Sequence, residues 1–275
     1  MDARLQRRVQ RQGWDLAAPA YERLWRAQLS SAQHELLLQA ALQPGERVLD
    51  VACGTGLVSF AAARAVGPVG AVVGVDLSGQ MIEAARQRGE GMALANARFK
   101  RMDAEQLALD DAGFDVVLCA LGLMYMPDPA QAMREMRRVV RPGGRVVAAV
   151  WGERRRCGWA ELFPIVDAEV VSDVCPLFFR LGGGEALAGL ATSAGLVAAA
   201  SLRIASTLRY ADEAEACDAA FAGGPAALAW SRFDDRVRDR VRRNYVDSIA
   251  SWRHGAGFRI PGEFVVVVAQ APSAP

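Results

Sequence analysis

The 275-residue sequence has one lysine, Lys100, two histidines, His34 and His254, and no apolar run long enough to cross a bilayer. Arginine carries the positive charge, and 32 basic residues against 31 acidic ones leave a formal charge of +1. That balance excludes a polycationic nucleic-acid binder and an acidic tail, and 52% hydrophobic residues exclude disorder. The five cysteines (53, 119, 157, 175 and 217) form no CxxC pair and have no histidine-rich neighbour. Neither a disulfide framework nor a metal site is expected. Residues 1–14 contain arginines but no apolar core, so no secretory leader is expected. These absences describe a cytoplasmic protein with small, weakly charged partners, no nucleic acid among them and no membrane-spanning segment.

What is present alternates. Trp14, Ala18, Tyr21 and Trp25 recur at spacings of four, three and four, one stripe of an N-terminal helix, and helical pattern resumes over 34–42 before Pro44-Gly45. Apolar, β-branched runs at 47–52 and 71–75, bounded by glycine, predict buried parallel strands with a helix between them. Ser78 is placed to cap the next helix, and strands follow at 97–101 and 114–120. Asp128-Pro129 opens a helix that Arg141-Pro-Gly-Gly144 ends, with a strand at 146–150. Later come a helix at 184–193, a strand at 197–208, a mostly helical stretch whose last helix spans 233–252, and a strand at 263–270. In that last helix Asp234 with Arg238 and Asp239 with Arg243 sit at ion-pairing distance in sequence. The alternation predicts an α/β fold with a Rossmann-like, doubly wound, mostly parallel sheet. Its expected organisation is an N-terminal helical arm (1–42), a core (43–151, completed by 186–210 and 258–270), and two substrate-binding lid insertions (152–185 and 211–257).

The chemistry concentrates where the first strand ends in Asp50-Val-Ala-Cys-Gly54-Thr-Gly56 and the second ends in Asp76. Glycines let a turn bring its backbone close to a ligand, and Asp76, 20 residues past Gly56, is placed to accept hydrogen bonds from two ribose hydroxyls. A nucleoside is implied. A nicotinamide dinucleotide shares that spacing, but its fingerprint wants a third small residue where this chain has Ser59, and Asp50 would sit beside its pyrophosphate. The glycine loop by itself leaves both cofactors open.

Five segments in order resemble the class I S-adenosylmethionine-dependent methyltransferases, in particular the branch of ubiquinone and menaquinone biosynthesis: Glu46-Arg-Val-Leu-Asp-Val-Ala-Cys-Gly-Thr-Gly56, Val73-Gly-Val-Asp-Leu-Ser78, Met102-Asp-Ala-Glu105, Phe114-Asp-Val-Val-Leu-Cys119 and Arg141-Pro-Gly-Gly144. The resemblance implies that Ala52, Cys53 and Gly54 line the methionine moiety and that Asp76 binds the ribose. It implies Leu77 and Met81 against the adenine, Asp103 accepting from the adenine amino group with Ala104 beside it, and the backbone of Ala120 and Leu121 holding the methionine ammonium. The arm bearing Tyr21 would close over the cofactor, and the last strand would run antiparallel. The family often has glycine where this chain has Ala52. Without the resemblance, Asp103 with Gln106 also fits a helix capping box.

The expected activity is methyl transfer from S-adenosylmethionine to a small, largely apolar or aromatic metabolite, leaving S-adenosylhomocysteine. A nicotinamide-dependent oxidoreductase and a non-catalytic nucleoside-binding protein are the alternatives. Positioning is the main task of such an enzyme. If the acceptor needs a base, His254, Tyr125 and Asp128 are the candidates. The lid insertions hold many aromatics, and Trp159 and Phe179 stand for those that would face substrate.

Overall fold

A computed structural model describes residues 3–92, 94–170 and 178–273. Cys175 and the rest of 171–177, part of the insertion expected at 152–185, lie outside the described residues. The chain runs α1 (Ala3–Trp25), α2 (Ser30–Ala40), β1 (Arg47–Val51), α3 (Leu57–Val66), β2 (Ala71–Asp76), α4 (Gly79–Met92), β3 (Ala97–Arg101), β4 (Phe114–Ala120), α5 (Pro129–Val139) and β5 (Val140–Trp151). Then follow α6 (Leu162–Asp167), α7 (Ala186–Ser193), β6 (Val197–Tyr210), α8 (Glu213–Phe221), α9 (Ala227–Arg232), α10 (Asp235–Ser248), β7 (Arg253–His254) and β8 (Gly257–Gln270).

The strand order is β3-β2-β1-β4-β5-β8-β6, with β7 paired to β8. Neighbours from β3 to β5 are parallel, and β8 runs antiparallel to both β5 and β6. This is the Rossmann-like α/β sheet with an antiparallel last strand. Val48, Leu49, Val116, Val117 and Val147 are fully buried, as strands covered by helices on both faces require. At the sheet edge, β6 is largely exposed over its first half. Chain order reverses between β1 and β4, so the loops leaving these two neighbours part and open a crevice at their carboxyl ends.

Several local expectations change. Strand β5 begins at Val140, paired with Phe114, and the register then shifts so that Val116 meets Arg145. Arg141-Pro-Gly-Gly144 is therefore a bulge inside a strand, not a loop before one. Gly144 permits it, since a Cβ there would stand 2.7 Å from the Asp115 carbonyl oxygen. Strand β8 begins at Gly257, six residues before the expected start, although it contains Pro261. Pro261 pairs only with Thr207 of β6, because pairing with β5 starts at Phe264, so its missing N–H is not needed. The helix expected over 233–252 is shorter. Asp234 is its N-cap, accepting from the Val237 N–H at 2.8 Å, and Arg238 instead approaches Asp235; capping a free N–H outweighs an exposed ion pair.

Candidate cofactor and acceptor site

The crevice widens into a cavity enclosing about 1110 Å³ of empty space, its mouth included. Its floor is the row of strand ends: Ala52 and Gly54 after β1, Asp76 and Leu77 at β2, Ala120 to Gly122 at β4 and Trp151 at β5. Helix α1 roofs it with Arg7, Gln10, Trp14, Tyr21 and Trp25.

Local backbone shape explains how the floor opens. Ala52 (φ 56°) and Leu121 (φ 64°), the residues that follow the adjacent strands β1 and β4, are both left-handed. A non-glycine residue in that region costs about 1–2 kcal/mol, and two such residues facing one crevice mark strain held for a purpose. Gly122 is required beside them, since a Cβ there would fall 2.4 Å from the Ala52 Cβ. Gly54 (φ 54°) and Gly56 (φ 83°) continue the turn, and Gly56 precedes α3.

Asp76 shapes this loop as well as facing the cavity. Its Oδ2 accepts from the Gly54 N–H and its Oδ1 from the Ser78 N–H, both at 2.9 Å. Each oxygen keeps a lone pair for a ligand hydroxyl. Burial is the main reason its pKa is raised, and the Asp15 charge adds to it. Ser78 caps α4, its Oγ accepting from the Met81 N–H at 3.1 Å. Behind the loop, Asp50 is fully buried. Its Oδ2 accepts from the Ser59 hydroxyl at 2.5 Å, while Oδ1 has no partner. Burial pushes its pKa up to about 7 against the lowering pull of the Ser59 bond, with Asp76 adding repulsion.

The arm is tied to this polar end by three groups. Arg7 bonds to the buried Glu105 and approaches Asp103 at 3.2 Å. Asp15 accepts from the Ser78 hydroxyl at 2.6 Å. Glu22 meets Arg88 at 3.0 Å, and Arg88 also donates to the Thr55 carbonyl at 2.7 Å. Asp103 caps no helix: its Oδ1 accepts from the Glu105 N–H in a tight turn.

Of the residues singled out from sequence, Tyr21, Ala52, Gly54, Asp76, Leu77, Met81, Asp103, Ala104, Ala120 and Leu121 line the cavity. Asp50, Cys53 and Gly56 do not line it; they lie behind the loop, where Cys53 packs with Phe60 and Phe99. Tyr21 is held as a neutral phenol, its pKa raised by burial and by Asp76 and Asp50. Among the base candidates only Tyr125 lines the cavity, its ring 4.9 Å from Trp14 and 5.4 Å from Phe178. Asp128 is exposed and caps α5 through the Gln131 N–H, and His254 is exposed on β7. Trp159 lines the cavity, whereas Phe179 packs behind it against Trp159 and Phe178. Sequence reasoning missed Arg7, Gln10 and Trp25 as wall residues, though they continue the Trp14 stripe at helical spacing.

Among the described residues, no group of three metal-ligating side chains exists and no helix is long and apolar enough to cross a membrane. Residues 42–169 match a family profile described as a methyltransferase domain. The demethylmenaquinone methyltransferase of Geobacillus kaustophilus is 34% identical over 131 residues, 48% of this chain and 56% of that protein. The chain spans about half the length of the curated relatives it matches. The crystal structure of a Bacillus halodurans protein described as a methyltransferase superposes with a TM-score of 0.65 at 21% identity, over 88% of this chain and all of that one. That of a 4+2 cyclase gives 0.59 at 20%, over 88% of this chain and 80% of that one. At such identities the likeness is one of fold, and one fold hosts several chemistries. Through the segment 42–169, which carries the loops of the cavity floor, the chain is similar to methyltransferases, demethylmenaquinone methyltransferases among them.

Proposed function

We propose that the protein transfers the methyl group of S-adenosylmethionine to a small, largely apolar or aromatic metabolite. The observation that carries this is one cavity with two unlike ends: an acidic nucleoside end at Asp76 and Asp103, continuous with an aromatic end at Trp25, Tyr125, Trp151, Trp159 and Phe178.

The residues fit the cofactor. The walls of the polar end carry three carboxylates, Asp76, Asp103 and Glu105, against one cation, Arg7, which Asp103 and Glu105 already engage. With the unpartnered Asp50 Oδ1 behind the loop, this end favours a cationic ligand and disfavours a pyrophosphate. That weighs against the nicotinamide alternative. Asp76 would hold the ribose, Leu77 and Met81 the adenine, and the loops at Ala52 and Leu121 the amino-acid end.

The cofactor supplies an activated methyl group on a good leaving group. The chain's part is to hold the acceptor in line and exclude water, and among the described residues the aromatic end places no carboxylate, arginine, lysine or histidine beside the acceptor. Tyr21, held neutral by burial, walls the polar end near Asp76, and Tyr125 contributes its ring to the aromatic end. Segments 152–185 and 211–257 serve as the lid in this reading, and the arm 1–42 as the cover of the cofactor.

Calorimetric titration with S-adenosylhomocysteine and, separately, NAD tests the cofactor assignment, and a labelled methyl donor across small aromatic and apolar acceptors tests the reaction. Binding of the first ligand only, with label appearing in a small molecule, is expected. Tighter binding of NAD, or label appearing in RNA with steep salt sensitivity, would overturn it.

A further inference from the structure

The sheet has two edges, and they are finished differently. The β3 edge is five residues long and carries Arg98, Lys100 and Arg101; a short, cationic strand repels a second strand. The β6 edge is 14 residues long, and Val197 to Ser201 are all exposed. One end of it is closed from within. Gln28, buried between α1 and α2, uses its side-chain amide as a neighbouring strand would: Oε1 accepts from the Arg209 N–H at 2.8 Å, and Nε2 donates to the Arg209 carbonyl at 2.6 Å.

Arg209 therefore turns its backbone groups away from β8, and in an antiparallel ladder every second residue does the same. Those residues are Thr207, Ala205, Arg203 and Ser201; a bulge between Ala198 and Ala200 ends the alternation. Among the described residues, nothing bonds the outward N–H and C=O groups of these four. Side chains do not guard them either. The stretch from Ser201 to Thr207 has no lysine, acid or proline. Its one arginine, Arg203, is folded back to donate to Glu263 at 2.8 Å and to the Gly184 carbonyl at 2.7 Å.

The free stretch, bounded by the bulge and by Gln28, matches its own reverse. Only a two-fold axis beside Ile204 engages all four residues from each copy. Ser201 then meets the partner's Thr207 and Arg203 meets the partner's Ala205, about eight hydrogen bonds in all. That register also sets Ile204 against the partner's Ile204 in a close, non-hydrogen-bonded pair. An axis at Arg203 would set like charges face to face. We propose that the protein is a two-fold dimer joined by antiparallel pairing of β6 with the β6 of a second copy, centred on Ile204, so that two eight-stranded sheets run on as one. This self-match is what favours a second copy over a foreign strand.

The test is sedimentation equilibrium of the full chain up to about 100 µM, with two variants. The wild type is expected to be a dimer of micromolar affinity or better. Ala205→Pro removes an outward N–H that β8 does not use, and it should weaken the dimer at least 10-fold. If that variant fails to fold, Ile204→Cys decides: the paired thiols lie within disulfide reach across the axis, so oxidised glutathione should link two chains at this position and not in Thr207→Cys. A monomeric wild type overturns the proposal, as does a dimer that Ala205→Pro leaves intact or that Ile204→Cys does not cross-link.

Discussion

At the polar end of the cavity, each functional side chain is anchored by backbone: Asp76 by the Gly54 and Ser78 N–H groups, Asp103 by that of Glu105, and Glu105 in turn by that of Asp128. At the other end rings rest on rings, Trp151 on Phe264 at 4.1 Å and Trp159 on Phe178 at 5.5 Å. Hydrogen-bonded strand ends fix positions to a fraction of an ångström and suit a cofactor that never changes. Packed aromatics tolerate exchange of shape at modest cost and suit the part of a site that differs between relatives. Changes at the two ends should therefore show up in different measurements.

The largest effect is expected from Asp76→Ala, which removes the proposed ribose acceptor and the anchor of the Gly54 and Ser78 N–H groups. S-adenosylhomocysteine affinity should fall by about 10- to 100-fold, the equivalent of about 1.5–3 kcal/mol, with Asp76→Asn milder. An unchanged dissociation constant in a folded Asp76→Ala protein would remove the ribose assignment.

Asp50 sharpens the comparison through pH. Its folded-state pKa of about 7 lies above the unfolded value of about 3.9. Its contribution to stability is thus complete below about pH 4 and is lost as pH rises through 7. The ligand-free protein should melt at a lower temperature at pH 8 than at pH 5 for this reason, and Asp50→Asn should flatten that difference. A cationic ligand draws the proton off, so affinity for S-adenosylmethionine should rise several-fold between pH 6 and pH 8 and then level off. A slope that persists in Asp50→Asn would assign it to another group.

A smaller effect is expected at the aromatic end. Phe178→Leu should raise the acceptor KM or lower turnover by roughly fivefold while S-adenosylhomocysteine affinity stays within about twofold. Equal losses in both would show that the ends are not separable. Prolonged treatment with EDTA should change neither constant, because no cluster with metal-ligand character exists among the described residues; restoration of activity by a divalent ion would contradict the mechanism.

The core was legible because its signals are local. β-branched runs interrupted by glycine mark strands buried on both faces, and the spacing from Gly56 to Asp76 places two loops at one edge of the sheet. Arg7 and Gln10 were hidden for the opposite reason. They keep the helical register of Trp14, Tyr21 and Trp25, but polar side chains on an amphipathic helix read as solvated; Arg7 is turned inward by Asp103 and Glu105, which it meets across about a hundred residues, and Gln10 is known as a wall residue only from the folded cavity. The start of β8 was hidden because Gly257, Pro261 and Gly262 are turn residues by local preference; pairing with β6 overrides that preference. His254 stood out as one of only two histidines, yet rarity carries no information about position, and the β7 hairpin leaves it outside the cavity wall.

The placement of β8 between β5 and β6 bears on how the protein is made. Residues 140–151 and 197–210 leave the ribosome well before residues 257–270, which are the strand that joins them. A nascent chain halted anywhere short of Gly257 presents the outer edge of β5 and an unpartnered β6, two templates for pairing with another polypeptide. The non-local pairing of β8 is a late, slow step. Trp151, on the cavity floor, packs on Phe264 of that same strand, so the aromatic end of the cavity is completed only when the sheet is.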